Sequence, residues 1–341
     1  MRTVCRTALL ATGLLAGTAL ASPAQAAPQV VASVKPVHSL VSAVMDGVGE
    51  PKLLLEAGQS PHTYALTPSD AGALERADLV VWVGPALEAF LQRPVRNIAQ
   101  DGAAVQLLRL DGLTVLRTRQ GGAWAGHADA HGDNDHGHGE SRDAAAKAAT
   151  GGDRGDAHAH TIQGIPEDEV DPHVWLDPDN ARVIVQALAE RLIALDPEHA
   201  EAYRQNAEAA RQRIAAVDAE VAQTIAPVKD TPYVVFHDAY HYFEHHYATN
   251  AVGSITLSPD RKPGARRLVE IRGKIAELDA RCVFREPQFA PDLVATVVEN
   301  TEAEIATLDP LGVDHAAGPD AYPKTLRGLA TDLRACLSPK S

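Results

Sequence analysis

The sequence predicts an α/β fold of two lobes, each with a mostly parallel sheet and flanking helices, joined by one long rigid helix. Three observations carry this. Short continuous apolar runs alternate with helical patterns before about residue 119 and again after residue 228, as expected of strands buried on both faces. Between them, Ala200, Tyr203, Ala207, Ala210, Ile214, Val217, Val221 and Ile225 recur at spacings of three and four, one apolar stripe on a helix. The length, 341 residues with 45% hydrophobic content, suffices for two ordinary cores. Asp196 is placed to cap the central helix, Pro197 suits its first position, and Pro227 stops it. Roughly 28 residues at 1.5 Å each give about 42 Å, the length of a strut. The expected organisation is a first lobe over 27–195, a linking helix over 196–227 and a second lobe over 228–341, with a ligand site in the cleft between the lobes.

Residues 1–26 stand outside this fold. Arg2 and Arg6 precede an apolar run from Ala8 to Ala21, and Ala24-Gln25-Ala26 offers a cleavage signal, so a secretory signal peptide is expected. The run is short for a membrane span, and no later stretch of about 18 apolar residues exists, so no membrane insertion is expected. Cys5 precedes the apolar run and cannot anchor a lipid at the cleavage site. Cleavage would remove two arginines and no acids, leaving 29 basic against 45 acidic residues, a net charge of −16. Such a surface disfavours nucleic acid and anionic lipid and concentrates cations. Cys282 and Cys336 would be the only cysteines left, and in an exported protein they are expected to pair. That count excludes a four-cysteine zinc site.

Taken in order, Val30 to Val34 reads as a strand, followed after Pro36 by a short helix from His38 to about Asp46. Lys52 to Leu55 is a second strand, left by the loop Gly58-Gln59-Ser60-Pro61-His62. Thr67 caps a helix with Pro68 first and Asp70 third, a capping-box pattern with Asp for Glu. Asp78 to Val83 is a continuous apolar strand ended by Gly84-Pro85, and Ala86 to Gln92 a helix. Asn180 to Ala194 forms the helix leading to the strut. Beyond it come a strand at Tyr233 to Phe236, a helix begun by His237-Asp238-Ala239-Tyr240-His241, and a strand at Ala251 to Thr256. A helix over Pro263 to Leu278, a strand at Cys282 to Phe284 and a helix over Pro291 to Thr301 follow. A last strand at Ala303 to Leu308 and a final helix carrying Cys336 complete the chain.

One segment breaks the pattern. From about Arg119 to Glu169 hydrophobic periodicity vanishes and Gly, Ala, Asp and His dominate, the composition of a disordered loop. His127, His131, His136, His138, His158 and His160 lie here among carboxylates, the donors that borderline divalent metals take. Weak auxiliary metal capture at several sites is the expected role.

In open α/β sheets, ligands bind beyond the carboxyl ends of the strands. His62, His237 and Asp309 each lie just past such an end, and His173 sits between Asp171-Pro172 and the apolar Val174-Trp175-Leu176. Two precede the strut and two follow it. Three imidazoles and a carboxylate make an N3O set suited to Zn²⁺. A competing pattern, His237-Asp238-Ala239-Tyr240-His241, has the spacing of the zinc-protease H-E-x-x-H motif, which would make the chain an exported hydrolase. That motif sits inside a helix, whereas His237 follows the strand-like Tyr233-Val234-Val235-Phe236.

The segments Val31 to Pro36, Ser60 to Asp70, Asp171 to Pro178, Val235 to Tyr240, Phe284 to Phe289 and Leu308 to Gly312 together resemble the periplasmic zinc-binding proteins of bacterial ABC importers, the ZnuA type of the metal-binding solute-binding proteins. The resemblance implies two α/β lobes on one long helix and ligand histidines at His62, His173 and His237. It also implies a carboxylate near the metal at Asp309, and a His/Asp-rich insertion between the first and second ligands. Function is then implied to be periplasmic, non-enzymatic capture of Zn²⁺ by a monomer for delivery to a membrane permease. Manganese or iron capture on the same fold, and an exported metal-buffering or adhesive protein, are the alternatives. Two features depart from the pattern. Pro61 stands where some relatives have a Glu before the first ligand, so the fourth ligand is Asp309, water or a loop residue. The strand Ala251 to Thr256 also lacks the auxiliary-site histidine of some relatives, so a second site must draw on the loop or on His241, His245 and His246.

Overall fold

The computed structural model describes residues 26–56, 58–98, 103–119, 124, 161–256, 263–289 and 292–339. All but the last residue of the expected leader, and the six histidines from His127 to His160, lie outside the described residues. The first lobe is built on β1 (Val30–Ala32), β2 (Lys52–Leu53), β3 (Leu79–Trp82) and β4 (Ala104–Gln106), all parallel in the order β2-β1-β3-β4. Helices α1 (Lys35–Val44), α2 (Pro68–Glu75) and α3 (Gln92–Ile98) connect them. The capping box of α2 forms as its sequence requires: Thr67 Oγ1 accepts from Asp70 N, and the Asp70 carboxylate accepts from Thr67 N at 2.9 Å.

The helix expected over Ala86 to Gln92 is displaced. Glu88 turns inward, where its carboxylate takes the N–H groups of Val83 and Gly84 and the Ser33 hydroxyl. The chain therefore spends Gly84–Glu88 on a turn and enters α3 through a 3₁₀ turn at Ala89–Leu91. Part of the segment expected to be a loop is instead a short hairpin of β5 (Thr161–Ile162) and β6 (Ile165–Pro166), turned by Gln163 and Gly164 at positive φ.

After α4 (Pro178–Leu195), capped by Asp177, comes α5 (Ala200–Ile225). Its buried face is Tyr203, Ala207, Ala210, Ile214, Val217, Val221 and Ile225, the sequence stripe without Ala200. Asp196 does not cap the backbone here. Pro197–His199 forms a 3₁₀ turn instead, and the Asp196 carboxylate accepts from Tyr203 at 2.9 Å and meets His199 Nδ1 at 2.7 Å. The second lobe is built on β7 (Tyr233–His237), α6 (His241–Tyr247), β8 (Ala251–Thr256), α7 (Ala265–Glu277), β9 (Cys282–Arg285), α8 (Asp292–Val298), β10 (Glu304–Thr307) and α9 (Ala321–Leu337). Its parallel sheet has the order β10-β9-β7-β8. Cys282 and Cys336 are bridged, tying the first residue of β9 to the end of α9.

The strut is no free rod. α5 packs on α4, α1 and α9, and buried residues of both lobes, such as Leu40, Val217 and Leu329, belong to one apolar cluster running through it. A smaller cluster under α7 and α8 is formed by Val234, Ile271 and Val294 among others. Among the described residues no helix is long and apolar enough to cross a membrane.

Candidate metal centre

Three imidazoles meet between the lobes. His62 comes from the loop after β2, His173 from the turn before α4, and His237 is the last residue of β7. Their ring centroids lie 5.7, 5.5 and 5.2 Å apart, and one ring nitrogen of each lies within 4.8 Å of the others. His173 Nε2 and His237 Nε2 are 3.3 Å apart. Donors at 2.0–2.1 Å from a tetrahedral Zn²⁺ stand about 3.3 Å from one another. Two of the three vertices are thus already at tetrahedral spacing.

Local sequence explains each placement. The His62 loop is anchored by Asp70, which also accepts from the Tyr64 hydroxyl at 2.7 Å. Asp171, two residues before His173, takes that residue's backbone N–H at 3.0 Å and its Nδ1 at 2.8 Å. Glu286, just past β9, takes His237 Nδ1 at 2.6 Å. Each Nδ1 faces a carboxylate that accepts from it, so the Nε2 atoms are the ring nitrogens turned toward each other in the cleft. Burial opposes ionisation of Asp171, yet the bond from His173 and the neighbouring His241 hold its carboxyl well below the usual range. Burial, then the two other imidazoles, push His62 well down, keeping it neutral and able to coordinate. Burial works against protonation of His237, but the Glu286 carboxylate outweighs it and raises that pKa. Two carboxylates one hydrogen bond behind the imidazoles supply the charge that offsets a divalent ion. The cleft is otherwise lined by Ser60, Pro61, Trp175, Gln288, Phe289, Pro310 and Leu311.

Asp309 is not brought into this cluster. Its Oδ1 accepts from the backbone of Leu311 and Gly312 at 3.0 Å, and its Oδ2 from Val313, so the carboxylate folds its own loop. Lys35 of the first lobe closes that loop by donating to the carbonyls of Gly312, Val313 and His315. The hydrolase pattern dissolves in the same way. His237 ends a strand while His241 begins α6, so they share no helical face, and Asp238 is held by Arg119 rather than facing the cleft. Asp171 and Glu286 were not singled out from the sequence; a carboxylate at the carboxyl end of the strand beside β7 was the available signal.

A second group, Asp177, Asp179 and His246, has ligand-like spacing. Here Asp177 and Asp218 raise the His246 pKa to about 9, the Asp177 bond leading. Arg182 pairs with Asp179 and Asp218, so the group is a closed ion network joining α6 to α4 and α5.

Two parallel-sheet lobes on a shared helix, with a three-imidazole pocket between them, define the class: a bilobal solute-binding protein for a metal ion. The sequence profile of the family described as zinc-uptake complex component A, periplasmic (ZnuA) matches residues 30–336. The chain is 45% identical to the high-affinity zinc uptake system protein ZnuA of Brucella suis biovar 1 (strain 1330) over 332 residues, 96% of this chain and 97% of that one. To the Yersinia pestis protein of the same name it is 35% identical over 335 residues, 97% and 96% of the two chains. Its fold is similar to that of the periplasmic zinc binding protein TroA from Treponema pallidum, with a TM-score of 0.71, 20% identity, and 92% and 100% of the chains covered. The chain belongs to the ZnuA family.

Proposed function

We propose that this protein captures Zn²⁺ in the periplasm with His62, His173 and His237 and hands it, as a monomer, to the permease of an ABC importer. One observation carries the reading: two imidazole Nε2 atoms 3.3 Å apart, a tetrahedral spacing, with each ring held by a buried carboxylate on Nδ1. The zinc-uptake names of its relatives support it. Neutral imidazoles suit a borderline ion, whereas manganese prefers oxygen, which favours zinc over the manganese or iron alternative. No bond is made or broken; water ligands are exchanged for imidazoles on capture and regained on release. His62 and His173 belong to the first lobe (27–195) and His237 to the second (228–341), with 196–227 as the link and 1–26 as a leader removed on export. Release then needs these contributions to separate or the imidazoles to be protonated.

The test is metal content of the purified protein and competitive titration with Zn²⁺ and Mn²⁺. Replacing His62, His173 or His237 by Ala is expected to weaken tight zinc binding at least about tenfold. Unchanged affinity in any one variant removes that residue from the site, and preference for Mn²⁺ overturns the zinc reading.

A further inference from the structure

One wall of the cleft is a loop of the second lobe, whose Pro310 and Leu311 line it together with His62, His173 and His237. Asp309, at the root of the loop, takes the N–H groups of Leu311, Gly312 and Val313 and so fixes its shape. Gly312 stands at a φ of +65°, and a Cβ there would lie 2.1 Å from Thr325 Oγ1 on α9, so the loop is seated closely on its own lobe. Its carbonyls are taken by the other lobe. Lys35, the first residue of α1, is 7% exposed, and its Nζ donates to Gly312 O at 2.9 Å, Val313 O at 2.7 Å and His315 O at 2.9 Å. An ammonium has three donors, and all three are used here. Trp175 Nε1 adds a bond to Pro310 O at 2.9 Å. Carbonyls of Pro310, Gly312, Val313 and His315 are thus held by two first-lobe side chains, neither of them a proposed ligand.

We infer that Lys35 is a positioning residue for cargo exchange: its ammonium straps the 310–315 loop to the first lobe and holds the cleft shut, so that rupture of its three bonds limits how fast zinc leaves. This rests on the three-histidine reading and deepens it, because it assigns the rate of exchange to a residue that does not touch the ion. Hydrogen bonds from a charged donor are roughly twice as strong as neutral ones. When the lobes part, these bonds must break before water can replace them. The strap forms without the metal, so it acts alike on the empty and the loaded protein. It therefore slows entry and exit together, and shifts the affinity less than either rate.

The test uses the full mature chain, loaded with zinc and mixed with excess chelator. Lys35→Met keeps the apolar stem and removes the donors, and it is expected to release zinc about tenfold faster, while the affinity falls no more than about threefold. Tenfold corresponds to about 1.4 kcal/mol of barrier. A merely structural role would lower the unfolding temperature of the metal-free variant and leave the release rate in place. The unaltered protein supplies a second reading, by amine acylation followed with peptide mass spectrometry. Lys35 should react at least about tenfold more slowly than the exposed Lys52, with or without zinc, because reaction has to wait for opening. A release rate that Lys35→Met leaves unchanged, or a Lys35 that reacts as fast as Lys52 in the metal-free protein, overturns the inference. Tight binding that survives loss of His62, His173 or His237 would instead overturn the site reading on which it rests.

Discussion

His246 is held between three carboxylates on two other elements: Asp177 Oδ1 at 3.3 Å and Asp179 Oδ2 at 3.7 Å on or beside α4, and Asp218 Oδ1 at 2.9 Å on α5. Arg182, paired with Asp179 and Asp218, is the other cation facing this network. With its pKa raised to about 9 from 6.5, protonated His246 contributes stability that is fully present below pH 6.5 and lost as pH rises through 9. Allowing for partial exposure and shared partners, about 1–2 kcal/mol is expected. Urea unfolding of the protein and of His246→Gln should therefore differ by that amount at pH 6 and converge by pH 10. Equal differences at both pH values would assign His246 a packing role only. The same logic marks what sequence could reveal at this scale. That His62, His173 and His237 meet was legible only from the set: a single loop histidine is commonly a surface residue, but three at element boundaries on both sides of the strut point to one cleft. Asp309 carried the same positional signal but answers to a local demand, the backbone N–H groups of its own turn. Glu286 acts through His237, which is near it only in the fold, whereas Asp171 stands two residues from His173 but shows its role only through the turn that brings its carboxylate onto that ring.

Among the elements, the most legible were those with strict period and caps: α2 with its capping box, α5 with its stripe, and β8, found over the expected Ala251 to Thr256. The misses were short pieces whose conformation is set from outside. β4 is three residues long, and the β5–β6 hairpin lies at the edge of a segment with hydrophilic composition. Arg119, expected in the loop, is instead partly buried against Asp238 and Glu244, a pairing between residues more than a hundred positions apart. The disulfide is an element-scale device of a different kind. Cys282 opens β9 at its amino end, whereas Glu286 lies just past its carboxyl end, roughly 13 Å away at 3.3 Å per residue. Closing a loop across a sequence separation of 54 is worth roughly 4 kcal/mol on the chain-entropy model. Reduction is expected to lower the unfolding free energy by about 2–4 kcal/mol while the zinc competition curve stays in place. A parallel loss of zinc affinity would show that strand and site are coupled through β9.

For the molecule as a whole, the shared core through α5 leads us to expect that the proposed zinc site is preorganised by the folded lobes and survives without the insertion. Arg119, at the start of the insertion, is clamped to Asp238 beside His237 and lies 3.4 Å from the ring centroid of Trp124. At Thr161 β5 begins. The histidines between are separated mostly by Gly, Ala and Asp. A composition of Gly, Ala and Asp favours no fixed ligand geometry, and fixing one costs about 1–2 kcal/mol per residue, so any sites they form are expected to be weaker than the cleft. They should also be lost to protons near the imidazole pKa of about 6.5. What a tether of such sites provides is local concentration of the ion beside the cleft when zinc is scarce. Replacing residues 126–159 with a short Gly/Ser linker spares Arg119, Trp124 and the hairpin. Calorimetry is then expected to show the tight zinc site unchanged and the weaker sites gone, and growth in zinc-depleted medium to slow. Loss of the tight site would mean that the insertion supplies a ligand. Unchanged stoichiometry would mean that its histidines bind no metal, and the net negative charge of the folded lobes would be left as the means of drawing zinc to the cleft.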